Sequence, residues 1–173
     1  MTLLAFKDGI EINQVVHKQI ILRGKGDGSF ADTINKEIAL LPPLDNLRMI
    51  SNDRFIFAKQ SFDQWVLISK NNEEDQEIIK LVSEMNKNEE ILASDYSHGQ
   101  SYFEITGEKK NHFLNKLTHF DFRNKKFPIS TMAQTLVARI DCSIYHLENK
   151  FLITINKSFE DYFIERIRDS INL

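Results

Sequence analysis

Four features of this sequence have the residue types that catalytic or ligand-binding chemistry uses. The first is the loop Gly24 to Ser29 (GKGDGS), which follows an apolar run and opens a helical pattern, with Asp53 downstream. Gly26, Gly28 and Ala31 fit a relaxed dinucleotide fingerprint, whose glycines let the backbone approach a pyrophosphate at a helix N-terminus. These glycines fall two residues too late for a tight strand-to-helix turn, and the strands beyond them pair by hairpin. A plain Gly/Asp connection is therefore the favoured reading. The second feature is Cys142 with His146 four residues on, a thiol and a candidate base. On a strand, Cys142 shares its face with Ile140 and Ile144, and a thiol in an apolar layer stays protonated and inert. The third is the scatter of His17, His98, His112, His119 and His146, in which no pair has the three- or four-residue helical spacing common in zinc sites. Asp95, Ser97 and His98 hold the residue types of a triad, but triad roles converge from separate elements, and Ser-His-Gly reads as a turn.

The fourth feature is the basic run Arg123-Asn124-Lys125-Lys126 between Phe122 and Phe127, a conceivable stacking and phosphate-contact surface. The chain as a whole has 22 basic and 25 acidic residues, a formal charge of −3, whereas nucleic-acid binders need surplus cationic charge to displace counterions. A solvated connection before Pro128 accounts for the run, and no nucleic-acid partner is expected. Phe120, Phe122 and Phe127 fall outside regular elements and are expected to mark a surface that a partner covers.

Composition bounds the rest. A chain of 173 residues buries about 70% of its unfolded surface and needs no disulfide or metal to hold it. A single cysteine fits a reducing, cytoplasmic setting. The start, MTLLAFKDGIEI, lacks a basic n-region, and no segment approaches the ~20 apolar residues of a membrane span.

These residues must be positioned by elements that alternate in a regular order. Gln19–Arg23 reads as a strand. Phe30, Ile34 and Ile38 mark a helix stopped by Pro42-Pro43. Strands are expected over Leu47–Ile50 and Arg54–Ala58, and Trp65–Ile68 as a central strand. Glu73–Asn86 is a helix with Ile78, Val82 and Met85 on one face. The polar stretch 86–90 separates two halves. In the second, Tyr102–Thr106 is a strand and Glu108–Leu117 a helix. Thr135–Leu147 reads as one long strand with Leu136, Ala138, Ile140, Cys142 and Ile144 on one face, paired with Phe151–Asn156. Ser158 caps a last helix presenting Phe159, Phe163, Ile167 and Ile171. The expected fold is α+β: two ferredoxin-like (split βαβ) units with mainly antiparallel sheets and helices on one face, divided as residues 1–90 and 91–173. No convincing catalytic constellation emerges.

Several segments resemble a known family. SHGQSYFEITGEKKNHFLNKL (Ser97–Leu117) resembles the strand–glycine–helix unit of the aminomethyltransferase-like, folate-binding superfamily. HFDF (His119–Phe122) and MAQTLVARIDCSIYHLENKFLITINKSFEDYF (Met132–Phe163) follow it, and Ala133-Gln134-Thr135-Leu136 and Lys157-Ser158-Phe159 are similar to the gamma subunit of heterotetrameric sarcosine oxidase. The likeness runs from Asp63-Gln64-Trp65-Val66-Leu67 to the C-terminus. It implies a non-catalytic assembly subunit in a complex that oxidatively demethylates sarcosine to glycine. Alpha, beta and delta subunits would be the partners, with the flavins FAD and FMN on beta, NAD and tetrahydrofolate on alpha, and zinc on delta. This chain would hold no cofactor. Gln134, Thr135 and Arg139 stand in the recurring motif and become candidate partner-interface positions. In the glycine-cleavage T protein of the same superfamily, the strand resembling Ile140-Asp141-Cys142 has two successive aspartates, one of which helps handle folate. Cys142 replaces the second here, and a buried thiol cannot act as a carboxylate. The alternative is a stand-alone folate- or pterin-binding module using Asp141, Asp95 or Glu104.

Overall fold

Asp8-Gly9 reverses the chain between β1 (Thr2–Lys7) and β2 (Ile10–Val15). Both turn residues have positive φ, 53° and 77°, the tight hairpin geometry that Asp-Gly adopts readily. The computed structural model describes residues 1–71 and 73–172. After the hairpin come β3 (Gln19–Arg23), α1 (Gly28–Ile38), β4 (Met49–Ser51), β5 (Phe55–Ser61), β6 (Gln64–Ser69) and α2 (Asp75–Met85). Then follow β7 (Leu92–Asp95), a 3-10 turn at Ser97–Gly99, β8 (Gln100–Thr106), α3 (Lys110–Asn115), β9 (Met132–Val137), β10 (Ile140–His146) and β11 (Lys150–Asn156). A 3-10 turn at Lys157–Phe159 leads into α4 (Glu160–Asn172).

The chain divides into two units, one of His17–Ser97 and one of Met1–Val16 with His98–Leu173. In His17–Ser97 the sheet order is β4-β5-β6-β3-β7, and every pairing is antiparallel. Strand, helix, hairpin, helix, strand is the ferredoxin-like order, with β6 central as expected and β4 added at one edge. Ile20, Leu22, Phe55, Phe57, Trp65, Leu67 and Ala93 share one core with Phe30, Ile34 and Ile38 of α1 and Ile78 and Met85 of α2. The strand residues among them alternate along each strand, so both helices cover the same face.

The other unit repeats this plan with one strand supplied from elsewhere in the chain. Its order is β1-β2-β8-β11-β10-β9, again all antiparallel. Beside β8, where β7 stands beside β3 in the other unit, lies β2 from the start of the chain. Ile10 and Ile12 join Phe103, Ile105, Ile144, Ile153 and Ile155 under Phe113 of α3 and Phe163, Ile167 and Ile171 of α4. The expected division at residue 90 is corrected accordingly: residues 91–97 carry β7 into the first sheet, and residues 1–16 belong with the second half, because the side of β8 away from β11 has no neighbour until β2 pairs with it. The α+β class, the antiparallel sheets and the ferredoxin-like units stand.

Three local expectations change. The strand expected over 135–147 turns back at Ala138-Arg139 into the separate strands β9 and β10. Leu136 consequently leaves the Ile140–Cys142–Ile144 face and is 53% exposed. The last helix is capped by Asn156, whose Oδ1 accepts the Ser158 N–H at 3.0 Å, and Phe159 lies half exposed before α4. Phe122 and Phe127 are 0% and 2% exposed, so they are core residues and not a partner-covered surface. They pack with the half-buried Phe120 and with Phe151, because the irregular 118–131 segment folds its aromatics over the sheet.

Candidate functional site

The residues proposed from sequence for an interface come together at one place, the edge strand β9 and its turn into β10. In the β9–β10 ladder Val137 pairs with Ile140, Leu136 with Asp141, Thr135 with Cys142 and Gln134 with Ser143. Ala138 (φ 52°) and Arg139 (φ 69°) form a two-residue turn in the left-handed region. This hairpin geometry normally takes Asn-Gly, and Cβ-bearing residues there cost about 1–2 kcal/mol each. The Ala138 N–H donates to the Leu117 carbonyl at 2.9 Å, tying the turn to the segment after α3. Arg139 and Gln134 are exposed and Thr135 is half-buried.

Two grooves of about 450 Å³ each border β9 and share Thr135 and Leu136. One is polar, with Gln100, Gln134, Asp141, Ser143 and Asn156. The other has Lys116, His119 and Arg139 and no carboxylate in its lining. Sequence periodicity missed the turn, since Ala-Arg has none of the usual hairpin residues and the apolar alternation continues through it.

The other sequence candidates do not assemble into chemistry. Gly26 has φ 86°, and a Cβ there would lie 2.5 Å from the Trp65 ring, so it is glycine for close packing. Trp65 in turn packs against the Phe30 ring, tilted by 44° with centroids 5.0 Å apart, and donates to the Pro43 carbonyl at 3.1 Å. The loop at 24–29 thus closes over a tryptophan, and the strands beyond it are antiparallel, unlike a dinucleotide fold. Asp95 accepts from the Ser97 N–H at 2.9 Å and from its hydroxyl at 2.5 Å, and the Ser97 Oγ accepts the Gln19 N–H at 3.1 Å. That serine is fully used in a turn. Of the basic run, Arg123 makes a bidentate pair with Asp121, which holds that carboxyl down at about 2. Among the described residues, no three histidine, cysteine or acidic side chains are grouped to hold a metal. No described helix is long and apolar enough to cross a membrane.

Cys142 and His146 lie four residues apart on β10, a separation of about 13 Å that rules out proton transfer between them. Burial pushes the Cys142 thiol up to about 12, and its Sγ sits 3.2 Å from the Ile140 carbonyl oxygen. His146 is 3% exposed, with Nδ1 2.7 Å from the Phe127 carbonyl oxygen and its ring 4.7 Å from that of Phe151.

Residues 23–172 match the family described as "Sarcosine oxidase, gamma subunit family". The chain belongs to that family. No curated protein sequence matches it. Its fold is similar to a chain of the heterotetrameric sarcosine oxidase from Corynebacterium sp. U-96, solved in complex with pyrrole 2-carboxylate. The TM-score is 0.84 at 16% identity, over 97% of this chain and 86% of that one. It is also similar to the glycine cleavage system aminomethyltransferase T from Bartonella henselae, with TM-score 0.66 and 11% identity, over 92% of this chain and 45% of that one.

In this gamma-family chain His146 acts as a buried structural histidine with a pH signature. Burial, the largest influence, and the nearby Lys110 charge lower its pKa, against the opposing bond to Phe127. Above about pH 6.5 folded and unfolded chains both hold neutral imidazole, and this contribution to stability is complete. As pH falls below that value the unfolded chain takes up a proton the folded chain resists, so stability drops. Urea midpoints measured from pH 8 to pH 5 should decline, and His146→Gln should show a shallower decline than the parent.

Proposed function

We propose that this chain is a non-catalytic, gamma-type assembly subunit of a heteromeric sarcosine oxidase complex that demethylates sarcosine to glycine. The observation that carries this is the gamma-subunit family match over residues 23–172. The geometry supports it: the only thiol is buried and protonated, His146 is held in an aromatic cluster, and Ser97 is committed to a turn. These three side chains are held by packing or by turn hydrogen bonds. Alpha-, beta- and delta-type subunits are the proposed partners, and FAD, FMN, NAD, tetrahydrofolate and zinc are assigned to them. A cytoplasmic setting fits the single reduced cysteine. Gln134, Thr135 and Arg139 are the proposed contact positions.

Co-expression with flavin-, folate- and zinc-binding sarcosine oxidase subunits tests the proposal. The tagged chain should co-purify with them in fixed stoichiometry, and the isolated chain should not oxidise sarcosine. Micromolar binding of tetrahydrofolate by the isolated chain would favour the stand-alone folate module. Sarcosine turnover by the chain alone would overturn the proposal.

A further inference from the structure

A sheet edge is a row of unpaired backbone donors and acceptors, and proteins blunt such edges with short strands, bulges or charges. The two sheets here have four edges. β4 is three residues long. β7 is four residues long and ends on the charged Asp95. β1 carries a bulge between Leu3 and Ala5 and ends on Lys7. β9 is six residues, MAQTLV, without bulge, proline or charge. It has none of these protections.

The hairpin sets which groups of β9 are free. Val137 and Ile140 close a two-residue turn and exchange both backbone bonds, and bonded pairs alternate along an antiparallel ladder. Thr135 and Ala133 therefore bond to β10, while the N–H and C=O of Gln134 and Leu136 point outward. Among the described residues, no backbone bond outside the ladders reaches Gln134 or Leu136. Beside Leu136 lies the groove with Lys116, His119 and Arg139, none of which is in an ion pair or side-chain hydrogen bond among the described residues. Arg139 is held in a left-handed conformation where glycine would be unstrained, which places a cation at the tip of the edge.

We infer that β9 is a docking edge that receives an extended, acidic segment of a partner polypeptide as a seventh strand. Backbone bonds to Gln134 and Leu136 supply the pairing, and a carboxylate of the incoming strand meets Arg139 and Lys116. This rests on the assembly-subunit reading and specifies one surface through which assembly occurs.

Hydrogen exchange of the full chain, alone and in the co-purified complex, tests it. The amides of Gln134 and Leu136 should exchange freely in the isolated chain and slow by about 100-fold or more in the complex. A complex that forms while those amides stay unprotected overturns the docking edge and leaves the assembly reading standing. Failure of any complex to form overturns both. Leu136→Pro removes an outward N–H together with a half-exposed side chain, and Arg139→Glu reverses the turn's charge. Each should weaken assembly by about tenfold or more, with circular dichroism of the isolated variant verifying the fold. Arg139→Gly relieves the turn yet removes the cation, so it should also weaken assembly. Parent-like affinity in all three variants overturns the inference, as does sedimentation showing the isolated chain dimerised through β9.

Discussion

Removal of residues 1–15 is expected to unfold the unit formed by β8–β11, α3 and α4, although every one of those elements remains in the shortened chain. The cause is β2. Ile12 and Ile10, 0% and 7% exposed, complete the core under α3 and α4. Burying two such side chains contributes about 3–6 kcal/mol. The same deletion removes the five β2–β8 pairs from Glu11↔Thr106 to Val15↔Tyr102 and turns an interior strand into an edge. A whole domain is typically stable by only about 5–15 kcal/mol, so a loss of this size removes most of it. Hydrogen exchange should show collapse of protection in Gln100–Thr106 and Lys150–Asn156. The emission of Trp65, the single tryptophan and fully buried in the unit His17–Ser97, serves as an internal reference. Retained protection across β8 and β11 in the shortened chain would show that the β2 pairing is dispensable.

Gly107→Ala should be the most damaging single methyl in the chain. Gly107 ends β8 at φ 105°, and a Cβ there would lie 1.9 Å from the Gly9 carbonyl oxygen and 2.9 Å from its carbon. Both atoms are backbone of the turn between β1 and β2, so no side chain can swing away. Relief requires moving the hairpin off β8, and the expected cost is about 3 kcal/mol or more. Gly9→Ala is the control from the same corner. Its φ is 77°, but a Cβ meets nothing within 4 Å, so it bears the backbone penalty alone, about 1–2 kcal/mol. Urea unfolding of both variants should reproduce this order. Equal losses would mean that φ, and not the contact with Gly9, decides the cost.

Both results turn on the N-terminal hairpin, which the expected elements, beginning at Gln19, did not include. Asp8-Gly9 between apolar runs is among the strongest short-range hairpin signals, yet nothing within residues 1–16 says which sheet that hairpin joins. The strands and helices that were expected from Gln19 onward were recoverable because their faces follow simple periods, as with Phe30, Ile34 and Ile38 on α1 or Phe103 and Ile105 on β8. Period alone failed at 135–147. Alternation runs unbroken through Ala138 and Arg139, and a reversal made by residues that disfavour positive φ leaves no composition signal.

What the sequence determined by itself was the α+β class, the ferredoxin-like grammar, the inert environment of Cys142 and the resemblance to the gamma-subunit family. Each depends on local spacing or on motifs that lie contiguous in the chain. The tertiary structure alone decided that residues 1–16 complete the second half, that Phe122 and Phe127 are core, and that Gln134, Thr135 and Arg139 meet at one unprotected edge. The first depends on which strands become neighbours across some ninety residues, as in Glu11↔Thr106, and the others on how an irregular segment and a turn without the usual residues fold back on the sheet. Strand pairing is set by burying whole faces together, and the alternation of one strand does not name its partner.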